Sequence, residues 1–303
     1  MYNIFLEVIF LRTKYKRRIG DRSDGRRIRT LQPMNAITPF LMKRRNGAHN
    51  QIKVTVDIDN MEKFILKKRE EGLKGFGALH VILAMYVRAV SKMPGLNRFV
   101  SGQRIYARHD IQVMMTVKKE MKLNADETCI KAHFDPSDDV NTIFEKFSKL
   151  IEENKNIEEE NSMDGVAKLF NFIPRILLRA LVSFIEFLDY FGLLPKFLLE
   201  VSPFHGSMFI TSMGSLGIPA IFHHLYDFGN CPIFCCYGAK YSAYVTNKDG
   251  SVQKKKFMDF TFVLDERTVD GHYYASALKL MLSYLKDPEK LDNEEIVVVE
   301  DID

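Results

Sequence analysis

Paired cysteines are missing from this chain. Its four, Cys129, Cys231, Cys235 and Cys236, fall into no C-x-x-C spacing, which excludes a zinc-ribbon or thioredoxin-like framework. Three of them crowd into the run CPIFCCYG, which reads as a buried strand with free thiols rather than a metal site. A charge of one sign is missing too. With 43 basic against 39 acidic residues and a net +4, no nucleic-acid surface is indicated. Long uninterrupted apolar runs are also lacking. The opening MYNIFLEVIF is too short to span a bilayer, and its cations (Arg12, Lys14, Lys16, Arg17, Arg18) follow the apolar stretch, the reverse of a secretory signal. Residues 1–25 are therefore expected to form a flexible basic extension of a protein kept in a reducing cytoplasm. There is no internal repeat and no linker rich in Pro, Ala or Ser, so most of the chain reads as one domain, and 46% hydrophobic residues are enough for a large core.

The pattern that is present alternates strands and helices. VTVDI at 54–58 predicts a strand, followed by a helix to Glu71 with Asp59 as cap and Glu62 completing a capping box. The apolar spacing of FGALHVILAMYVRAVSKMPG predicts a core helix ended by Pro94, with His80 as a satisfied core histidine on its apolar side. Strands are predicted at 104–106, 111–117 and 128–134, then a helix capped by Asp138 or Asp139, running from Val140 to about Glu153. The charged run NKNIEEENSMDG reads as an exposed connection. Between about 164 and 202 lies an apolar insert that Pro174, Gly192 and Pro195 divide into short pieces. It is expected to pack on the body or a neighbouring subunit; an interfacial membrane contact and a lid for an acyl chain are the alternatives. Further strands are predicted in FHGSMFITSMGSLGIP, PIFCCYG and KKKFMDFTFVLDE, then a helix at 273–286 stopped by Asp287-Pro288. The acidic tail 291–303 reads as an edge strand or a solvated end.

The segment DERTVDGHYYASALKLMLSYLKDPEKL resembles the carboxyl end of the catalytic domain of the acyltransferase component of 2-oxo acid dehydrogenase complexes, and of its relative chloramphenicol acetyltransferase. Those proteins carry His-x-x-x-Asp-Gly followed by a helix. SMFITSMGSLGI resembles the strand and turn bearing the family's active-site Ser or Thr, and KVTVDIDNMEKF, PGLN and DIQVMMTVKKE match in family order over roughly 26–290. The resemblance implies a two-layer α/β sandwich of the chloramphenicol acetyltransferase type, a mixed sheet with packed helices. It also implies a homotrimer with its active site in a channel between subunits. There a histidine takes the proton of a thiol, of coenzyme A or lipoamide, for attack on an acyl thioester, a hydroxyl residue stabilises the oxyanion, and an aspartate is a structural anchor.

Carried over by position, the oxyanion partner is Thr211, or Ser212 if the register slips by one. The anchor is Asp270, followed by Gly271, and the base position holds Glu266. A carboxylate of ordinary pKa, near 4.3, accepts a thiol proton from near 8.5 at a cost of about 6 kcal/mol, so it is a poor base unless burial raises it. His272, just past the turn, is expected to point away from that position. No lipoyl attachment site or subunit-binding segment is found, which makes a free carrier such as coenzyme A the expected partner of a stand-alone acyltransferase whose activity is impaired by its altered base. The alternative is a non-catalytic trimeric protein that keeps the fold to bind an acyl thioester or serve as a scaffold. No metal is called for. Taken alone, DERTVDG also has a structural reading: Asp270 caps the last helix, Gly271 gives a tight turn, and Glu266 pairs with Arg267 or another arginine.

Overall fold

The computed structural model describes residues 17–118, 127–156 and 173–303. The expected strands and helices build a six-stranded mixed sheet with helices on one face. In chain order the elements are β1 (Gly25–Arg27), α1 (Pro33–Leu41), β2 (His49–Asp57), α2 (Asp59–Glu70), α3 (Ala78–Lys92), β3 (Arg98–Ser101), β4 (Arg104–Arg108), β5 (Ile111–Lys118), β6 (Glu127–Phe134) and α4 (Val140–Asn156). There follow α5 (Arg175–Tyr190), α6 (Lys196–Val201), β7 (Met208–Ser212), β8 (Ile233–Thr246), β9 (Val252–Asp265), α7 (Gly271–Lys286) and α8 (Glu289–Asn293). The large sheet has the order β2-β9-β8-β7-β5-β6, and β1-β4-β3 form a small second sheet. β7 runs parallel to both β5 and β8; the other ladders of the large sheet are antiparallel.

Period-two alternation sorts the central strands onto two faces. Met208, Ile210, Ile233, Cys235, Phe260, Phe262 and Leu264 enter the main core with the helices, where Tyr86, Phe64 and Tyr284 are fully buried. The opposite, outer face carries Phe209, Phe234 and Val263 under Leu225, and one step along it Thr211, Cys236 and Thr261 in register. His80 is the core histidine its spacing predicts: its ring packs between Phe76, Phe144 and Phe147, and Nδ1 accepts from the Gly77 amide at 3.1 Å. Burial pushes its pKa down to about 4.

Several expectations are corrected. β2 begins at His49, five residues before the predicted strand, because it pairs with β9 along its full length. Helix α2 starts at Asp59 without the predicted capping box; Ile58 is its cap residue, and Glu62 instead pairs with Lys240 and Lys256 on β8 and β9. Asp139 does cap α4, accepting from the Thr142 amide at 2.7 Å. Packing begins before residue 26. Arg22 is buried and bonds Asp24 (2.8 Å), Ser101 (2.9 Å) and Asp189 of α5 (2.6 Å). Burial alone would raise the Asp189 carboxyl, yet its bond to His205 and the Arg22 charge hold it well below the usual range. The tail beyond residue 294 is no strand; Arg98 grips Asp301 through two bonds of 2.8 and 2.5 Å, and Arg18 and Arg26 reach Asp303. Of the connection expected at 154–165, the first three residues continue α4 to Asn156; the rest of it, the start of the basic extension and the first residues of the insert lie outside the described residues. No described helix is long and apolar enough to cross a membrane.

Candidate active site

β9 ends at Asp265, and the turn Glu266–Asp270 leads into α7. Asp270 takes the cap position there: its Oδ1 accepts from the Tyr273 amide at 2.8 Å. Tyr273 in turn reaches back to the PGLN turn, where the Gly95 amide donates to its hydroxyl at 2.8 Å. A Cβ on Gly95 would stand 2.7 Å from that ring, so the glycine in PGLN has a steric reason. Since Asp270 caps from an exposed position, Asp270→Ala is expected to cost about 1 kcal/mol of stability in urea unfolding, with the fold intact. His272 is exposed on the first turn of α7.

Glu266 is partly exposed. Its amide donates to the Ala48 carbonyl at 2.9 Å, and its Oε2 accepts from Asn50 Nδ2 on the edge strand β2 at 2.8 Å. The expected pairing of Glu266 with Arg267 is not formed. Arg267 closes instead on Asp265, Nε to Oδ1 at 2.8 Å and Nη2 to Oδ2 at 2.7 Å, while Arg45 Nε approaches the same carboxylate at 3.3 Å. All three residues are buried. Each arginine also donates to backbone carbonyls, Arg45 to Tyr226 (2.6 Å) and Gly229 (2.9 Å), Arg267 to Met42 (3.2 Å) and Lys43 (3.3 Å). This cluster locks the turn that presents position 266. Sequence reasoning passed over Asp265 and Arg45, and Asn50 likewise; the signal within reach was the D-x-R spacing immediately around Glu266.

Thr211 lies on β7, partly buried on the outer face, beside Cys236. After it the chain enters a 3-10 turn at Gly214–Leu216, with Gly217 at φ +70°. The segment around Ile221 covers the adjoining strands, its amide on Cys236 Sγ at 3.4 Å and its carbonyl accepting from the Thr261 hydroxyl. Ser212 belongs to the core face, in register with the buried Tyr237, so of the two hydroxyls Thr211 is the one on the face away from the helices.

Within one chain Thr211 and Glu266 are not brought together. Thr211 is in register with Cys236, and Cys236 with Thr261, so Glu266 lies two strands across and five residues further along. At about 4.8 Å per strand and 3.3 Å per residue the separation is on the order of 20 Å. Among the described residues no group of His, Cys, Asp and Glu could hold a metal ion, and the four cysteines are free thiols.

Residues 198–292, which include β7, the turn and α7, match the model of the 2-oxoacid dehydrogenases acyltransferase (catalytic domain) family. The whole fold agrees with that match. A probable dihydrolipoamide acetyltransferase from Listeria monocytogenes superposes with a TM-score of 0.55 at 13% identity, over 89% of this chain and 99% of its own. The dihydrolipoamide acetyltransferase of Azotobacter vinelandii, studied for the role of a serine, a histidine and an asparagine in its mechanism, gives 0.55 at 12% identity, over 93% and 96% of the two chains. A truncated catalytic core of the 2-oxoacid dehydrogenase complex of Thermoplasma acidophilum gives 0.50 at 13%, over 87% and 99%. No curated protein matches the chain in sequence. The chain has the α/β fold of acyltransferase catalytic domains, and its carboxyl-terminal part carries the family signature of the 2-oxoacid dehydrogenase acyltransferases.

Proposed function

We propose that this protein is a stand-alone acyltransferase that moves an acyl group to or from a thiol carrier such as coenzyme A, with Glu266 standing in the base position and Thr211 as the oxyanion partner. The observation that carries this reading is the intact turn: Asp265 clamped by Arg45 and Arg267 holds residue 266 at the sheet edge, and Asp270 opens α7 as the anchor. Because Thr211 and Glu266 lie far apart in one chain, the reading requires a trimer in which Glu266 of one subunit faces Thr211 of the next. The proton of the free thiol would pass to the Glu266 carboxylate while its sulfur bonds the thioester carbonyl, and the Thr211 hydroxyl would donate to the oxyanion; collapse would break the original C–S bond, the departing thiolate taking the proton back from Glu266.

A second reading, a trimeric acyl-thioester-binding or scaffold protein without turnover, is favoured by one contact. The Asn50 amide already occupies one oxygen of Glu266, which suits a settled carboxylate better than a proton acceptor. Calorimetry with coenzyme A and acyl-coenzyme A, with transfer of the acyl group onto isotopically labelled coenzyme A followed in the same samples, separates the two. Under the first reading this exchange exceeds background and falls at least about tenfold in both Glu266→Gln and Thr211→Ala. Binding without exchange supports the second. Exchange unaffected by either substitution would mean that the chemistry lies elsewhere.

A further inference from the structure

We propose that the outward apolar face of α5 seats on an anionic bilayer surface, an inference independent of the acyl-transfer reading. At about 100° per residue, the residues of α5 sort into three arcs. Leu178, Leu181, Val182, Ile185 and Leu188 are half-buried toward the body. Arg175, Arg179, Ser183, Glu186 and Tyr190 form a polar edge. Between them on the far side Ile176, Leu177, Phe184, Phe187 and, one step past the helix, Phe191 line a second apolar arc, with exposures of 83, 60, 57, 55 and 59%. Leu193 and Phe197, at 64 and 65%, continue it past Gly192. A helix that only covered a core would be polar on that side.

The lipid surface is chosen over a second copy on area and charge. A 16-residue helix is about 24 Å long, so an apolar arc about 10 Å wide offers roughly 250 Å² and a pair of copies roughly 500 Å². A stable dimer needs about 1,200 Å². An interfacial helix needs only to sink one apolar face about 5–10 Å into the headgroup boundary. The polar edge carries Arg175 and Arg179 against the single acid Glu186, and the exposed Lys196 adds to them beyond the turn; Asp189 is turned inward to Arg22. Such cations at the rim of an apolar stripe complement anionic headgroups. The helix is also tied to the body at its carboxyl end, by Asp189 and by the Tyr190 hydroxyl on Gln103 at 2.8 Å, which leaves its outer face unobstructed.

The full chain would be floated with vesicles of phosphatidylcholine alone and of phosphatidylcholine with phosphatidylglycerol. It should rise with the anionic vesicles, and Phe187→Ser with Phe191→Ser, which removes two exposed rings and leaves the core untouched, should lower the bound fraction at least about tenfold. The sequence has no tryptophan, so Phe191→Trp gives a single reporter whose emission should move to the blue only when anionic vesicles are added. Three results would overturn the proposal: no flotation, or equal flotation on both vesicle types; equal flotation of wild type and the double variant; or a Phe191→Trp emission already blue without lipid and dependent on protein concentration, which would assign the face to contacts between copies.

Discussion

Replacing Glu266 by histidine is expected to raise acyl exchange between acyl-coenzyme A and labelled coenzyme A by about a hundredfold or more over the natural chain. Positioned general bases contribute about 10²–10⁴ in rate when their pKa lies near the working pH, and an imidazole near 6.5 meets that condition where an ordinary carboxylate near 4.3 does not. The fold supplies what the imidazole needs. The backbone of residue 266 is fixed by the Ala48 carbonyl, and the turn is locked by the Asp265 clamp. Asn50, now donating to the carboxylate at 2.8 Å, can turn its amide to present oxygen to a ring N–H, leaving the other nitrogen for the thiol. The measurement is the steady-state rate of that exchange at matched protein concentration, with Glu266→Gln alongside. A rise in the histidine variant alone, with the glutamine variant equal to wild type, would identify the natural protein as a binder on an acyl-transfer scaffold. No rise, despite acyl-coenzyme A binding, would remove position 266 from any thiol chemistry.

Much of this architecture was legible in the sequence because its signals are local. The 3.6-residue spacing around His80 and the period-two run before Asp265 each name an element whose partners lie next to it in the fold. Thr211 and Asp270 were picked out by motif order; Thr211 lies on the outer face of β7, and Asp270 caps α7. The missed features depend on contacts distant in sequence. Asn50 meets Glu266 across 216 residues and Arg22 meets Asp189 across 167. The capping box at Asp59 failed for the same reason: the carboxylate of Glu62 finds two lysines of β8 and β9, stronger partners than a backbone amide at the helix start. Of the two readings of the tail, the solvated end holds for most of its residues, which are exposed; what the sequence did not show is Arg98, remote in the chain, closing on Asp301.

Asp265→Ala should be the most damaging single substitution in the site, lowering stability by about 3–5 kcal/mol. The carboxylate is fully buried, and both its partners, Arg45 and Arg267, have side chains no more than 4% exposed. Removing it leaves two like charges in the interior with no carboxylate bonded to either, and only the exposed Asp227 acting on Arg45, the situation in which breaking a buried pair costs most. The carbonyls of Tyr226, Gly229, Met42 and Lys43 still accept from the guanidinium groups, which satisfies hydrogen bonds but neutralises no charge. Urea unfolding at neutral pH reads the loss directly, as a fall in midpoint at unchanged slope. Adding Arg267→Met to Asp265→Ala should recover part of it, because an apolar chain of similar length removes the unpaired charge. If Asp265→Ala instead costs under about 1 kcal/mol, the carbonyls alone hold the arginines; the turn that presents Glu266 would then be set by backbone bonds, and position 266 should keep its geometry in variants that lack the clamp.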